Sequence, residues 1–162
     1  MWKHIGFGKN AIMMARIYMD TSVVGGCFDE EFAEWSNMLI NQIAKGMKIA
    51  VISDIIYQEI ELAPDFVQKK LFDLPDSFIE TITTNNETEF LAEQYIKAKA
   101  VTQKYYEDAL HIANATIHKM DVVASWNFKH LVNLDKIRKY NAVNLKEGYS
   151  LVEIRTPREI IG

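Results

Sequence analysis

The chain alternates between short runs of consecutive apolar residues and longer stretches in which apolar residues recur every three or four positions. Arg16-Ile17-Tyr18-Met19-Asp20, Ile49-Ala50-Val51-Ile52 and Val122-Val123-Ala124 are of the first kind. They predict strands covered on both faces, because a strand with one wet face would alternate apolar and polar residues. Phe78 to Ile82 predicts a further short strand, and Leu151 to Ile154 a last one before Pro157. The helical stretches lie between them. After a turn at Gly25-Gly26, Asp29 opens a helix carrying Phe32, Trp35, Leu39 and Ile43, which Gly46 closes. Ser53 is placed to cap a helix bearing Ile55, Ile56, Ile60 and Ala63. Pro64 begins a piece with Phe66, Leu71 and Phe72 that ends at Pro75. From Asn86, Leu91, Tyr95, Ala98 and Thr102 are in phase. A further helix spans Tyr105 to Lys119, and another runs from Leu134 to Glu147 before Gly148.

Buried strands separated by helices predict an α/β fold: three layers, α/β/α, around a mostly parallel central sheet. A chain of 162 residues suits one such domain, expected over residues 15–162. Residues 1–14 mix Trp2, two glycines and scattered charge without periodicity, and are read as a disordered extension outside it.

Composition narrows the functional classes. At 49% hydrophobic and 25% charged residues the chain is globular, and its formal net charge of −4 argues against gripping nucleic acid by bulk charge alone. A metal ion or a local basic rim would have to supply the positive charge. The single cysteine, Cys27, forms no internal disulfide, so a reducing cytoplasm is expected, and no apolar run is long enough to span a membrane.

Three acids stand where acids are costly. Glu59 lies four residues after Ile55 and three after Ile56, and so projects from the apolar face of its helix, whereas Asp54 and Glu61 fall on the solvated side. In the helix near residue 110 the expected buried stripe is Tyr105, Ala109, Ile112, Ala113 and Thr116. Asp108 adjoins it, while Glu107, His111, Asn114 and His118 line up on a polar face. Asp20 ends the first strand, at the edge where open parallel sheets build ligand sites. Each has an ordinary explanation: Asp20 as a turn or cap, Glu59 snorkelling to solvent, Asp108 capping a helix start. Jointly they point to a divalent cation, and oxygen-only ligation suits Mg²⁺ or Mn²⁺ better than zinc.

In this order the motifs resemble those of the PIN-domain family, in particular its VapC-like toxin ribonucleases. Ile17-Tyr18-Met19-Asp20-Thr21-Ser22 is similar to the opening motif, Ser53 through Glu59-Ile60 to the second, and Asp108-Ala109-Leu110-His111-Ile112-Ala113 to the third. Ser125-Trp126-Asn127 stands where the family has a strand ending in Thr/Ser-x-Asp. The resemblance implies a PIN-like fold and a Mg²⁺- or Mn²⁺-dependent endoribonuclease that cuts RNA, often the toxin of a toxin–antitoxin pair with a cognate antitoxin as partner. It carries over Asp20, Glu59 and Asp108 as metal ligands and catalytic residues, with Thr21, Ser22 and Ser125 in support. Asn127 is aligned with the fourth acidic position but brings no charge. Lys129 and His130, just beyond, are candidates for RNA contact or plain surface; Trp126 is a core aromatic or a stacking platform.

The leading rival is a degenerate PIN-like domain that binds RNA or a protein partner without cleaving, and Asn127 supports it. An aspartyl phosphatase at Asp20 lacks a second acid two residues on, where Ser22 stands. Zinc hydrolysis by Glu107, His111 and His118 has the wrong spacing, and Cys27 has no nearby base. A homodimer is left open by the sequence.

Overall fold

The apolar runs form the middle of a five-stranded sheet. The computed structural model describes residues 4–5 and 12–161, with side chains from Met14 onward. Two short strands, β1 (His4–Ile5) and β2 (Ile12–Met13), pair antiparallel. The expectation of an extension over residues 1–14 otherwise lies outside the described residues. The main sheet contains β3 (Arg16–Met19), β4 (Ile49–Ser53), β5 (Ile79–Ile82), β6 (Val122–Ala124) and β7 (Ile154–Arg155), in the order β5-β4-β3-β6-β7. Every neighbouring pair is parallel. All residues of β3 and β4 are buried, as their unbroken apolar runs require.

The helices are α1 (Thr21–Gly26), α2 (Ala33–Ala44), α3 (Asp54–Glu61), α4 (Asp65–Phe72), α5 (Asn86–Lys97), α6 (Tyr106–Ile117), α7 (Leu134–Lys146) and α8 (Pro157–Ile161). From β3 the chain moves outward through β4 to β5, then returns to the other side of β3 for β6 and β7. Parallel crossovers are right-handed, so this reversal puts α1–α4 on one face and α5–α7 on the other. The packing of α2 on α8, and of α5 on α6 and α7, agrees. The expected α/β fold with its mostly parallel sheet is therefore present. The topological switch point lies between β3 and β6, and the residues following those two strands meet there.

Several details depart from the sequence reading. Gly25-Gly26 is the last turn of a short helix, α1, and not a turn before a long one; α2 begins only at Ala33. Gly26 is required by packing, since a Cβ there would lie 2.7 Å from Ser36 Oγ and 2.9 Å from Trp126 Nε1. In α4, Val67 and Leu71 face the core while Phe66 and Phe72 are exposed. The α5 helix ends at Lys97, because Lys99 turns left-handed (φ 62°) and its N–H and that of Ala100 close the end on Ile96 and Tyr95. The last strand is displaced to Ile154–Arg155, paired with Val123 and Ala124.

Candidate active site

Asp20 follows β3 directly, its N–H donating to the Ala124 carbonyl at the end of β6 (3.2 Å). It occupies the N-cap position of α1 without capping it, because its side chain turns to the switch point. There each carboxylate oxygen is held by one serine: Ser22 Oγ donates to Oδ1 and Ser125 Oγ to Oδ2, both at 2.5 Å. The serines are themselves fixed by the loop after β6, Ser22 Oγ accepting the Trp126 N–H and Ser125 Oγ the Asn127 N–H, each at 2.9 Å. Asp20 is 5% exposed, and burial pushes its carboxyl above the ordinary range despite the two serines and nearby His111.

Glu59, on the last turn of α3, is half-buried. Its Oε1 accepts Thr21 Oγ1 (3.1 Å) and pairs with His111 Nε2 (2.8 Å). Burial pushes the Glu59 carboxyl up, but the bond and charge of His111, helped by Thr21, outweigh it and hold the group below its usual value. Asp108, in the first turn of α6, accepts no hydrogen bond from the described residues. Burial, with Asp20 and Glu59 adding repulsion, pushes it up to about 6, with His111 opposing. Glu59 and Asp108 line one open concavity of about 320 Å³ together with Tyr105 and Tyr106.

His111 corrects the sequence reading most sharply. It was placed on a polar face of α6, yet it is 2% exposed, and Asn114 beside it is fully buried. Its Nδ1 meets the Tyr18 hydroxyl at 2.6 Å, and that hydroxyl meets Ser53 Oγ at 2.8 Å. A buried chain thus runs from Ser53 through Tyr18 and His111 to Glu59, linking β4, β3, α6 and α3. Burial pulls the His111 pKa down, but Glu59, Asp20 and Asp108 together raise it above its ordinary value. A signal was available: from Ala109 to Thr116, α6 contains no carboxylate, lysine or arginine, and a helix so poor in charge is buried all round. Asp54 also differs from expectation, accepting the Thr84 N–H and hydroxyl instead of standing free in solvent. Among the described residues the one deeply buried lysine or arginine, Arg16, pairs with Glu80 at the opposite end of β3, away from Asp20, Glu59 and Asp108.

Asn127 lies in the loop after β6, where its Oδ1 accepts the N–H groups of Lys129 (3.2 Å) and His130 (2.9 Å). Trp126 is a core aromatic: its Nε1 donates to Ser36 Oγ at 2.8 Å and its ring stacks on Phe32. Lys129 and His130 gather with Tyr105 beyond the acidic concavity.

The donor set suits a hard divalent cation bound openly. Among the described residues no group of three or more His, Cys, Asp or Glu side chains is close enough to cage an ion. Mg²⁺ needs no cage, since it retains waters and commonly takes one or two carboxylates plus substrate phosphate. Asp108, raised in pKa and accepting no hydrogen bond among the described residues, and Asp20, with one serine on each oxygen, are the carboxylates that would hold such an ion.

No family model and no curated protein sequence matches the chain. Among solved structures it is similar to the crystal structure of VapBC2 from Rickettsia felis bound to a DNA fragment from their promoter. The TM-score is 0.53 at 16% identity, covering 87% of this chain and 98% of the other. At that identity the likeness is one of fold. It extends over most of both chains and agrees with the α/β fold built on a parallel sheet.

Proposed function

We propose that this protein is a Mg²⁺- or Mn²⁺-dependent endoribonuclease that hydrolyses RNA phosphodiester bonds, the toxin member of a toxin–antitoxin pair acting in the cytoplasm. The observation that carries the reading is the shared concavity of Glu59 and Asp108 beside the carboxyl end of β3, where buried Asp20 is near enough for its charge to raise the Asp108 pKa and His111 holds Glu59. Asp20 and Asp108 would hold the ion. When bound, it would lower the pKa of a coordinated water and offset charge on the scissile phosphate. Ser22 and Ser125 keep the Asp20 oxygens in one orientation, a constraint anchored in the backbone at Trp126 and Asn127. Glu59 stays ionised through its pairing with His111, so its second oxygen is available to accept a proton or an outer hydrogen bond. The antitoxin reading rests on the sequence motifs, and the fold likeness to a chain of a two-component assembly on DNA is consistent with it.

The test is cleavage of a labelled single-stranded RNA by the purified protein with Mg²⁺, Mn²⁺ or EDTA. Asp20→Asn and Asp108→Asn should each lower the metal-dependent rate by at least about a hundredfold, the order expected when an ion's charge stabilisation is lost. Full activity in both variants would refute the site. The second reading, a PIN-like domain that binds RNA or protein without cutting, is favoured by the lack of a three-ligand cage among the described residues and by the amide at Asn127. It predicts no cleavage with any metal.

A further inference from the structure

Beyond the acidic concavity a second groove opens, and Tyr105 lines both. It encloses about 530 Å³, ample for one nucleotide unit. Val101 and Ile96 contribute apolar surface, and the Tyr105 and His130 rings lie against each other, tilted by 35° with centroids 3.9 Å apart. Its charge is of one sign. Lys99, Lys129 and Lys136 line the groove with no carboxylate among the lining residues, and Lys104 and Lys129 each place Nζ 5.5 Å from the Tyr105 centroid. None of these four lysines forms an ion pair among the described residues, although the chain carries net charge −4. Both His130 ring nitrogens are buried without a hydrogen-bond partner among the described residues, so a polar ring stands unsatisfied in the groove wall. Lys99 holds a left-handed helix-end position (φ 62°) where glycine is unstrained.

We infer that this groove is a single-stranded RNA subsite, in which one nucleobase packs against the Tyr105–His130 pair while the flanking phosphates lie among Lys99, Lys104, Lys129 and Lys136. Aromatic faces accept any base, and lysines set on the rim contact phosphates without reading sequence, so the subsite binds RNA with little base preference. Because Tyr105 is the wall shared with the Glu59–Asp108 concavity, a strand seated here leads its next phosphate toward the acids. The inference rests on the ribonuclease reading for its direction, but the binding it describes is separable from cleavage.

The experiment is fluorescence anisotropy with 5′-fluorescein octauridylate in EDTA, so that cleavage is off, across a salt series. Tyr105→Ala should weaken binding about tenfold, whereas Tyr105→Phe and Tyr105→Trp should stay close to wild type. Lys129→Ala and Lys136→Ala should each flatten the slope of log Kd against log salt by about 0.7. Lys99→Gly should weaken binding while raising Tm, a pair of opposite signs that a purely structural lysine would not give. On titration with octauridylate the His130 Cε1–H resonance should shift. If Tyr105→Ala fails to fold, the Phe and Trp variants and this resonance decide. Binding within about twofold of wild type in folded Tyr105→Ala, or an unmoved His130 signal at saturation, overturns the subsite. So does a groove that takes no octauridylate, which would make it a protein-contact face. Cleavage lost everywhere with Tyr105-dependent binding intact refutes the nuclease reading alone. Asp20-dependent cleavage with Tyr105-independent binding refutes the subsite alone.

Discussion

At His111 two buried partners depend on one side chain. Removing the imidazole in His111→Ala leaves the Tyr18 hydroxyl and the Glu59 carboxylate without it, a loss of about 2–3 kcal/mol for a pair in which Glu59 is partly solvated. Urea denaturation would measure it. The pH dependence has a definite sign. Glu59 is depressed in the fold, so its contribution is present above about pH 4.5, its ordinary value, and fades as pH falls through the folded pKa. His111 is raised, so its contribution is full below 6.5 and fades as pH climbs through its folded value. Asp108 works the other way: lifted from 3.8 to about 6, it costs stability progressively as pH rises between those values. Without metal, Asp108→Asn should therefore melt higher than wild type by a margin that grows from pH 4 to about 6 and then levels off. A margin independent of pH would remove the like-charge account. Asn127 illustrates what the chain of residues conceals. Its type and position align it with an acidic motif, but its amide oxygen caps the loop at Lys129 and His130. Asn127→Asp keeps an acceptor for both N–H groups; if the residue also belongs to a metal shell, calorimetry should record tighter Mn²⁺ binding.

Among the elements, β3, β4 and β6 were legible because a strand covered on both faces leaves an unbroken apolar run. β7, at the sheet edge with one partner, is only two residues long and buries Ile154 alone, so the apolar pattern placed it at Leu151 to Ile154, overlapping the observed strand at one residue. The α1 helix was hidden by Gly25-Gly26, since two glycines are poor helix formers, and its stability comes from contact with α2, α3 and α4. That contact yields a test at Gly26. Gly26→Ala should raise helix propensity yet destabilise by about 1–3 kcal/mol, because the new methyl collides with Ser36 Oγ and the Trp126 ring. A gain in denaturant midpoint would show that the α1–α2 approach is looser than described. The α6 helix was found in sequence, but its buried side was read too narrowly. His111 and Asn114 are polar by type, and only their cross-element partners, Glu59 and Tyr18 for one and Thr84 for the other, explain their burial.

At the scale of the molecule, the architecture followed from the run lengths, and Asp20 at a strand end pointed to where the proposed site lies. The convergence of α3 and α6 on that end could not be read from either helix alone. Ligand linkage tests the whole arrangement. Millimolar Mg²⁺ or Mn²⁺ should raise Tm and EDTA should reverse it, because an ion that binds only the folded chain stabilises it by mass action. The shift should vanish in Asp20→Asn, and an equal shift there would place the ion elsewhere.

The bond from Ser125 to Asp20 closes a gap of 105 residues, and β3 has no partner on that side until β6 arrives. Loop closure over such a distance comes late in folding, after β3, β4 and β5 have met through shorter connections. A chain emerging from the ribosome therefore carries Asp20 and Ser22 long before it carries Ser125, the second serine that orients the carboxylate. Until then β3 is an open sheet edge, the part of the nascent chain most exposed to mispairing. Order of synthesis thus acts as a timer: a chain halted before Val122 would hold Asp20, Glu59 and Asp108 but lack the Ser125 hydroxyl that fixes the second Asp20 oxygen, and its exposed β3 edge would favour aggregation.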